Sequence, residues 1–283
     1  SGTARTMAGT HGRQRKPKPA GHGGGVAIAT PGRPVSVARP APHRAAQTDD
    51  ARAAEPAPHS GAMLPTDQAI RARRSVRAFL PREVPEPLLR EVFALAQCAP
   101  SNCNTQPWIV HVVSGEACAG LRRTLSQAAL DPALHQPDFA FDGRYPGLYK
   151  TRQHDSAMRL YEAMGIARDD RAARTQAMLR NFAMFDAPHA AFLFLPEPFG
   201  LREAADCGMY AQTRRLALAA HGLASCAQGA LSFHPQQVRE ALGVPAEHKL
   251  LFGVSFGYED PAAAANQCRV PRAGLDEAVH FHR

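Results

Sequence analysis

Three features of the sequence agree with an α+β fold class: strand-like runs are few, helical runs are many, and one helix, Glu203 to His221, is apolar on more than one face. With 283 residues, 45% of them hydrophobic, the chain has material for one large core or two small ones.

Residues 1–62 contribute none of these elements. They contain no Leu, Phe, Tyr or Trp and a single Ile, Ile28, while Pro, Gly, Ala and Arg dominate. Such a segment cannot bury enough apolar surface to offset its ordering entropy, so it is expected to be a disordered basic arm, with Met63 the natural start or the arm dispensable. The domain is expected over 63–283. Thr66-Asp67 offers a helix N-cap ahead of Ile70 and the basic run Arg71, Arg73, Arg74, and that short helix gives way to Ser75-Val76-Arg77-Ala78-Phe79. Pro85 and Glu86 open a second helix, with Leu88, Leu89, Val92, Phe93 and Ala96 at helical spacing and Pro100 closing it.

Trp108 to Val113 is β-rich and reads as a first core strand. After a helix over about 116–129 comes an irregular excursion, 131–150, bearing Phe139, Phe141, Tyr145 and Tyr149. Such stretches inside compact domains serve as lids or binding loops, or are merely variable surface. Two helical stretches, roughly 151–164 and 168–185, precede a second buried strand, Ala190 to Leu195. The apolar helix that follows must be central or must pack on a partner chain, and Gly222 stops it. Leu223 to Ala227 leads to Gln228-Gly229; a short helix near Pro235–Leu242 and a third strand, Lys249 to Gly257, complete the pattern.

The formal net charge of +8 is unevenly held. Residues 1–62 carry nine Lys/Arg against three Asp/Glu, which leaves 24 against 22, a net of +2, in 63–283. A non-catalytic nucleic-acid-binding protein would therefore have to act through the arm, and the expectation is no nucleic-acid partner. No uncharged apolar run approaches 18 residues and the first residues lack the order of a signal peptide, so no membrane partner and a cytoplasmic location are expected. Six cysteines without a C-x-x-C pair read as reduced structural thiols, and no His spacing demands a metal.

The densest polar stretch is Ala99-Pro100-Ser101-Asn102-Cys103-Asn104-Thr105-Gln106-Pro107-Trp108. Between a helix and a strand, it can point amides and a hydroxyl at one planar polar ligand, or it can be an ordinary turn. Taken in order with Arg73-Arg74-Ser75-Val76-Arg77, a helix ending in His221-Gly222-Leu223 and Arg269-x-Pro271, it resembles the nitroreductase family of FMN enzymes, over about 67–283.

The resemblance implies a mostly antiparallel four- or five-stranded sheet flanked by helices, in an intertwined homodimer with FMN at the interface. It implies that Arg73, Ser75 and Arg269 hold the FMN phosphate, for which planar guanidinium forks are suited, with Arg74 and Gln267 also among the cofactor-binding residues. Arg77 would lie by the pyrimidine edge, where positive charge favours the reduced flavin. Ser101, Asn104 and Gln106 would meet the ring or ribityl chain, and the backbone at Gln228 and Gly229 would face flavin N5. The family often has a basic residue where this chain has Gln267, which leaves more of the phosphate to Arg269 and Arg272. Phe139, Phe141 and Tyr145 are candidates for the substrate side. The implied activity is ping-pong reduction of a nitroaromatic or quinone-like acceptor by NAD(P)H, nitro to nitroso to hydroxylamine. Flavin reduction, reductive dehalogenation and flavin fragmentation are the alternatives on the same scaffold. No Gly-x-Gly-x-x-Gly run is present, so NAD(P)H is expected as a transient donor.

Overall fold

A computed structural model describes residues 63–141 and 143–283; the expected basic arm, 1–62, lies outside the described residues. Strands β1 (Ile109–Ser114), β2 (His189–Pro196), β3 (Ala224–Gln228) and β4 (His248–Gly257) form one antiparallel sheet in the order β1-β2-β4-β3. Around it run α1 (Thr66–Ala72), α2 (Glu86–Ala96), α3 (Gly115–Ala128), α4 (Gly147–Ala163), α5 (Arg171–Leu179), α6 (Leu201–Ala220) and α7 (Pro235–Leu242).

The layering follows from β2, whose sequence is apolar after His189 and whose alternate side chains must leave opposite faces. Ala190, Phe192 and Phe194 join Val113, Leu121, Leu125, Val238 and Leu250 in a core under α3 and α7. Ala191, Leu193 and Leu195 face the other way, onto Val92, Ala96, Cys207, Tyr210 and Leu218 of α2 and α6. The expected apolar helix is thus central: Tyr210, Ala211, Arg214, Ala217 and Leu218 are buried within their own chain. Gly222 ends it with φ 70°, while the Leu223 and Gly222 amides donate to Leu218 O and Ala219 O.

β3 was not expected as a strand. Ala-Ser-Cys-Ala-Gln has no β-branched or aromatic residue, and it is extended because it fills the edge of β4, from Ala224 opposite Gly257 to Gln228 opposite Gly253. Gly253 has a packing reason: a Cβ there would lie 2.5 Å from Leu231 Cδ1 and 2.9 Å from Leu231 Cβ. The bare backbone lets Leu231, in the 3₁₀ turn Gly229–Ser232, seat directly on β4.

Other boundaries move for local reasons. α1 is capped by Pro65 without a side-chain cap from Thr66 or Asp67. The helix expected over 168–185 is only α5, because Met184, Phe185 and Asp186 have φ of 53°, 53° and 59°, left-handed values that no right-handed helix contains. The irregular excursion holds a 3₁₀ turn, Pro132–Leu134, and ends early where α4 starts. All six cysteines are free; Cys118, Cys207 and Cys226 are buried, whereas Cys98 and Cys103 are exposed in turns rather than inside regular segments. Among the described residues no helix is long and apolar enough to cross a membrane.

His189 joins the sheet to the chain before α2. Its Nε2 accepts the Val84 amide at 2.8 Å, so Nδ1 carries the proton and donates to Ser114 Oγ at 2.6 Å. Burial lowers its pKa from the ordinary 6.5, against a smaller opposing pull from Glu83. A buried imidazole held neutral stabilises the fold fully above the ordinary imidazole range, and that contribution is lost as pH falls below it, because the unfolded chain takes up the proton first. The unfolding midpoint is therefore expected to drop on acidification through pH 6.5, and His189→Gln to flatten that slope, measured by thermal melts across pH.

Candidate functional site: a cluster of guanidinium groups at the edge of the sheet

α1 ends at Arg73, which is already extended, and the chain then runs beside β3. Ser75 bridges Ser225 in parallel and the Val76 amide donates to Ser225 O at 3.2 Å. Val76 points into a small core with Phe79, Phe185, Ala187 and Cys226, which leaves Ser75 and Arg77 on the opposite side of the segment. From beneath, the left-handed turn at Phe185 supports it, and Arg180 reaches both Asp186 and Arg77 O.

The far end of the chain is pinned to the same segment by Asn266, which is 2% exposed. Its Oδ1 accepts the Arg77 amide at 2.8 Å, and its Nδ2 donates to Ala78 O and Asp260 O at 2.9 and 2.8 Å. Gln267, Arg269 and Arg272 follow directly. A third contribution comes from α6, where Arg215 Nε donates to Ser225 Oγ at 3.3 Å while its Nη2 is buried without a partner.

These cations feel one another. Burial lowers the Arg73 pKa first and Arg272 lowers it further; burial and then Arg73 push Arg215 down to about 10. The Cys226 thiol beside them is held protonated by burial, against the pull of Arg77 and Arg215. Among the described residues none of Arg73, Arg77, Arg215, Arg269 and Arg272 makes an ion pair with a carboxylate. Several half-buried positive charges without an internal anion repel each other and leave desolvated donors unmet. A phosphomonoester, with close to two negative charges and three acceptor oxygens, would satisfy both deficits.

The structure therefore sets Arg73 near Arg215 and Arg272, with Ser75 and Arg77 on the same segment and Arg269 bonded to the carbonyl of Asn266, whose side chain accepts the Arg77 amide. It turns Arg74 away, into an ion pair with Glu259, and it commits the exposed Gln267 amide to Pro261 O at 2.8 Å. The Gln228 side chain is also spoken for, donating to Asn181 O at 2.9 Å and accepting from Ser255 Oγ, so that only backbone at Gln228 and Gly229 is left to face a ligand. A Cβ on Gly229 would meet nothing within 4 Å, so this turn borders open space.

The amide-rich bend lies elsewhere. Asn102 N donates to Asp206 Oδ2 at 3.1 Å, and Trp108 stacks on Tyr210 with ring centroids 4.9 Å apart. Nine residues separate Asp206 from Arg215, about 13 Å along α6 and half a turn around it at roughly 100° per residue. Ser101, Asn104 and Gln106 are thus on the opposite side of α6 from the guanidinium cluster of their own chain. Their backbone is strained, with φ of 51°, 56° and 46° at Cys103, Asn104 and Gln106, of which only Asn tolerates the left-handed region readily. Ser101 Oγ accepts the Gln106 amide at 2.9 Å, and Gln106 Nε2 donates to Asn104 Oδ1 at 3.1 Å.

The excursion is anchored rather than free. Asp138 accepts from Arg239 at 2.6 Å and from the Leu250 amide at 2.7 Å, and Gln136 N donates to Phe233 O. Phe141 lies 6.1 Å from Tyr145 and 6.5 Å from Phe233, just after the Gly229 turn, and Phe139, Phe141 and Tyr145 are all exposed. Arg215 and Asn266 are the residues that sequence reasoning missed. A pair of arginines, Arg214-Arg215, inside an otherwise apolar helix was the available signal for the first; nothing local marks the second.

The sequence profile of the Nitroreductase family matches residues 70–258, most of the chain. The chain belongs to the nitroreductase family, a family of oxidoreductases. It is 47% identical over 218 residues to nitroreductase NfnB of Mycolicibacterium smegmatis, covering 77% of this chain and 92% of that one. The crystal structure of FMN-dependent NfnB from Mycobacterium smegmatis in complex with NADPH matches it with a TM-score of 0.74 over 77% of this chain and 97% of that one. The FMN- and NADPH-dependent NfnB of a Sphigopyxis strain matches at 36% identity with a TM-score of 0.75, over 78% of this chain and all of that one. The 4-nitrobenzoate reductase of Pseudomonas putida is 31% identical over 219 residues, covering 76% of this chain and 94% of that one.

Proposed function

We propose that this chain is an FMN-dependent reductase of nitroaromatic compounds, with NADPH as electron donor, and that its sites are completed between two copies. The observation that carries the reading is the set of guanidinium groups without a carboxylate, held at one edge of the sheet in a family whose named relatives use FMN and NADPH. Arg73, Ser75 and Arg269 would hold the phosphate, and Arg77 would set a positive charge toward the pyrimidine side. Bound FMN would supply acceptance of a hydride from the donor and its delivery to the acceptor, in two-electron steps from nitro to nitroso to hydroxylamine.

The bend at Ser101, Asn104 and Gln106 faces away from its own chain's cluster, so its amides reach this ligand only from a second copy. That favours a homodimer with two equivalent sites. The Gly229 turn, bordering open space, would leave room for a flat donor and then a flat acceptor to stack in turn, with Phe141 and Tyr145 at its margin.

The purified protein is expected to be yellow, to sediment as a dimer, and to consume NADPH anaerobically with nitrobenzoate. A colourless protein that fails to take up added FMN would overturn the flavin reading. Turnover of halogenated phenol or free flavin in place of nitrobenzoate and quinone would keep the flavin and replace the acceptor.

A further inference from the structure

We infer that Arg215, on the side of α6 that faces β3, is a phosphate-binding residue, supplying from the middle of the chain the positive charge that Gln267 does not supply from its end. The inference rests on the reading above and adds to it a contact that the Arg-Ser-x-Arg and Arg-x-Pro motifs do not contain.

Three observations carry it. Arg215 Nη2 is buried and has no partner, although Nε is satisfied by Ser225 Oγ. A guanidinium desolvated in this way without an acceptor is costly, and evolution has usually either an acceptor or a ligand to put there. Second, the group sits close enough to Arg73 for Arg73 to disfavour its charge, and among the described residues neither makes an ion pair with an Asp or Glu. Like charges brought together in a half-buried site call for an anion between them, and Ser225 fixes the Arg215 fork so that its free edge is the one left over. Third, Gln267 near the C-terminus brings no charge to this edge, being exposed and already donating to Pro261 O. Without Arg215, the exposed Arg269 and Arg272 would be left to complete Arg73 from solvent. Both already cap local carbonyls.

The neighbouring Arg214 makes a useful contrast. It is fully buried with all three guanidinium nitrogens unpartnered, but it lies over the Phe93 ring at 5.5 Å, on the α2 side. An orphaned nitrogen alone therefore does not mark a phosphate site; for Arg215 the place beside Ser225 and Arg73 does.

The shared chemistry is a terminal phosphomonoester, which could come from FMN or from the 2′-phosphate of NADPH; the FMN phosphate is the source inferred here, because Arg215 shares Ser225 with the backbone of Ser75 and Val76. The test uses the full chain stripped of flavin and titrated with FMN and with riboflavin, followed by flavin fluorescence. Arg215→Met is expected to weaken FMN about tenfold and leave riboflavin unchanged, so that the preference for the phosphorylated flavin shrinks; Arg215→Lys is expected to keep part of it. An equal loss for both flavins, or unchanged FMN affinity, would overturn the inference, as would a KM rise for NADPH relative to NADH with FMN affinity intact, which would move the phosphate to the donor. If Arg215→Met does not fold, Arg215→Lys must still lower the FMN-to-riboflavin preference. A wild-type chain that binds neither flavin would instead bring down the flavin reading itself, an outcome distinct from a chain that binds both and ignores Arg215.

Discussion

Arg73→Ala is expected to yield a protein that loses FMN, with affinity lower by about 3 kcal/mol, on the order of a hundredfold, as for a planar fork that makes two charge-assisted bonds to one phosphate. Arg73 is a half-buried member of the cluster and is flanked by Arg215 and Arg272, so water replaces its charge less readily than that of the exposed Arg269 or Arg272. Arg269 is exposed and its Nη1 already donates to Asn266 O at 2.7 Å, so Arg269→Ala is expected to cost less. The same cluster predicts an asymmetry. With no phosphate bound, deleting one of several like charges relieves repulsion, so flavin-free Arg73→Ala should melt no lower than flavin-free wild type, while FMN should raise its melting temperature less. Equilibrium titration and paired melts measure both. Unchanged FMN affinity would move the phosphate elsewhere.

Asn266→Ala is expected to be the most damaging single change near the site that touches no ligand. It removes three hydrogen bonds from a residue that is 2% exposed and leaves the Arg77 amide without its acceptor, while the Ala78 and Asp260 carbonyls keep only the Asp260 and Ala263 amides. At about 1 kcal/mol for each net bond the loss is about 3 kcal/mol, or on the order of 6–12 °C in melting temperature for a domain of this size. FMN retention should fall with it, since Arg269 and Arg272 are held near Arg73 by this one side chain. Asn266→Asp keeps the acceptor for the Arg77 amide and loses both donated bonds, so it should fall between the two in a thermal melt.

The residues that were legible in the sequence are those whose chemistry repeats or alternates. β2 is apolar on both faces and could only be buried; α6 is apolar on several sides and had to be central or pack on a partner chain; the motifs at Arg73–Arg77 and Ser101–Gln106 keep their order and spacing. What stayed hidden depends on partners distant in the chain. β3 is made of small residues and is a strand only because β4 offers it an edge. The turn at Met184–Asp186 adopts left-handed angles that its side chains do not announce. Arg74 and Arg73 are neighbours with the same charge, yet Glu259, 185 residues on, takes one and leaves the other. Arg215 belongs to no motif legible in the sequence, and only the fold places it beside Arg73 and Ser225.

Gly253 carries a consequence for how this protein can fail. Because Leu231 rests on the naked backbone of an interior strand, the turn bearing Gly229 is packed directly onto the sheet. Heating or overpacking should therefore dull the pocket and soften the scaffold together, and variants that tune the one while sparing the other must be sought on the outer rim, around Phe141 and Tyr145, where the chain is moored by Asp138 instead.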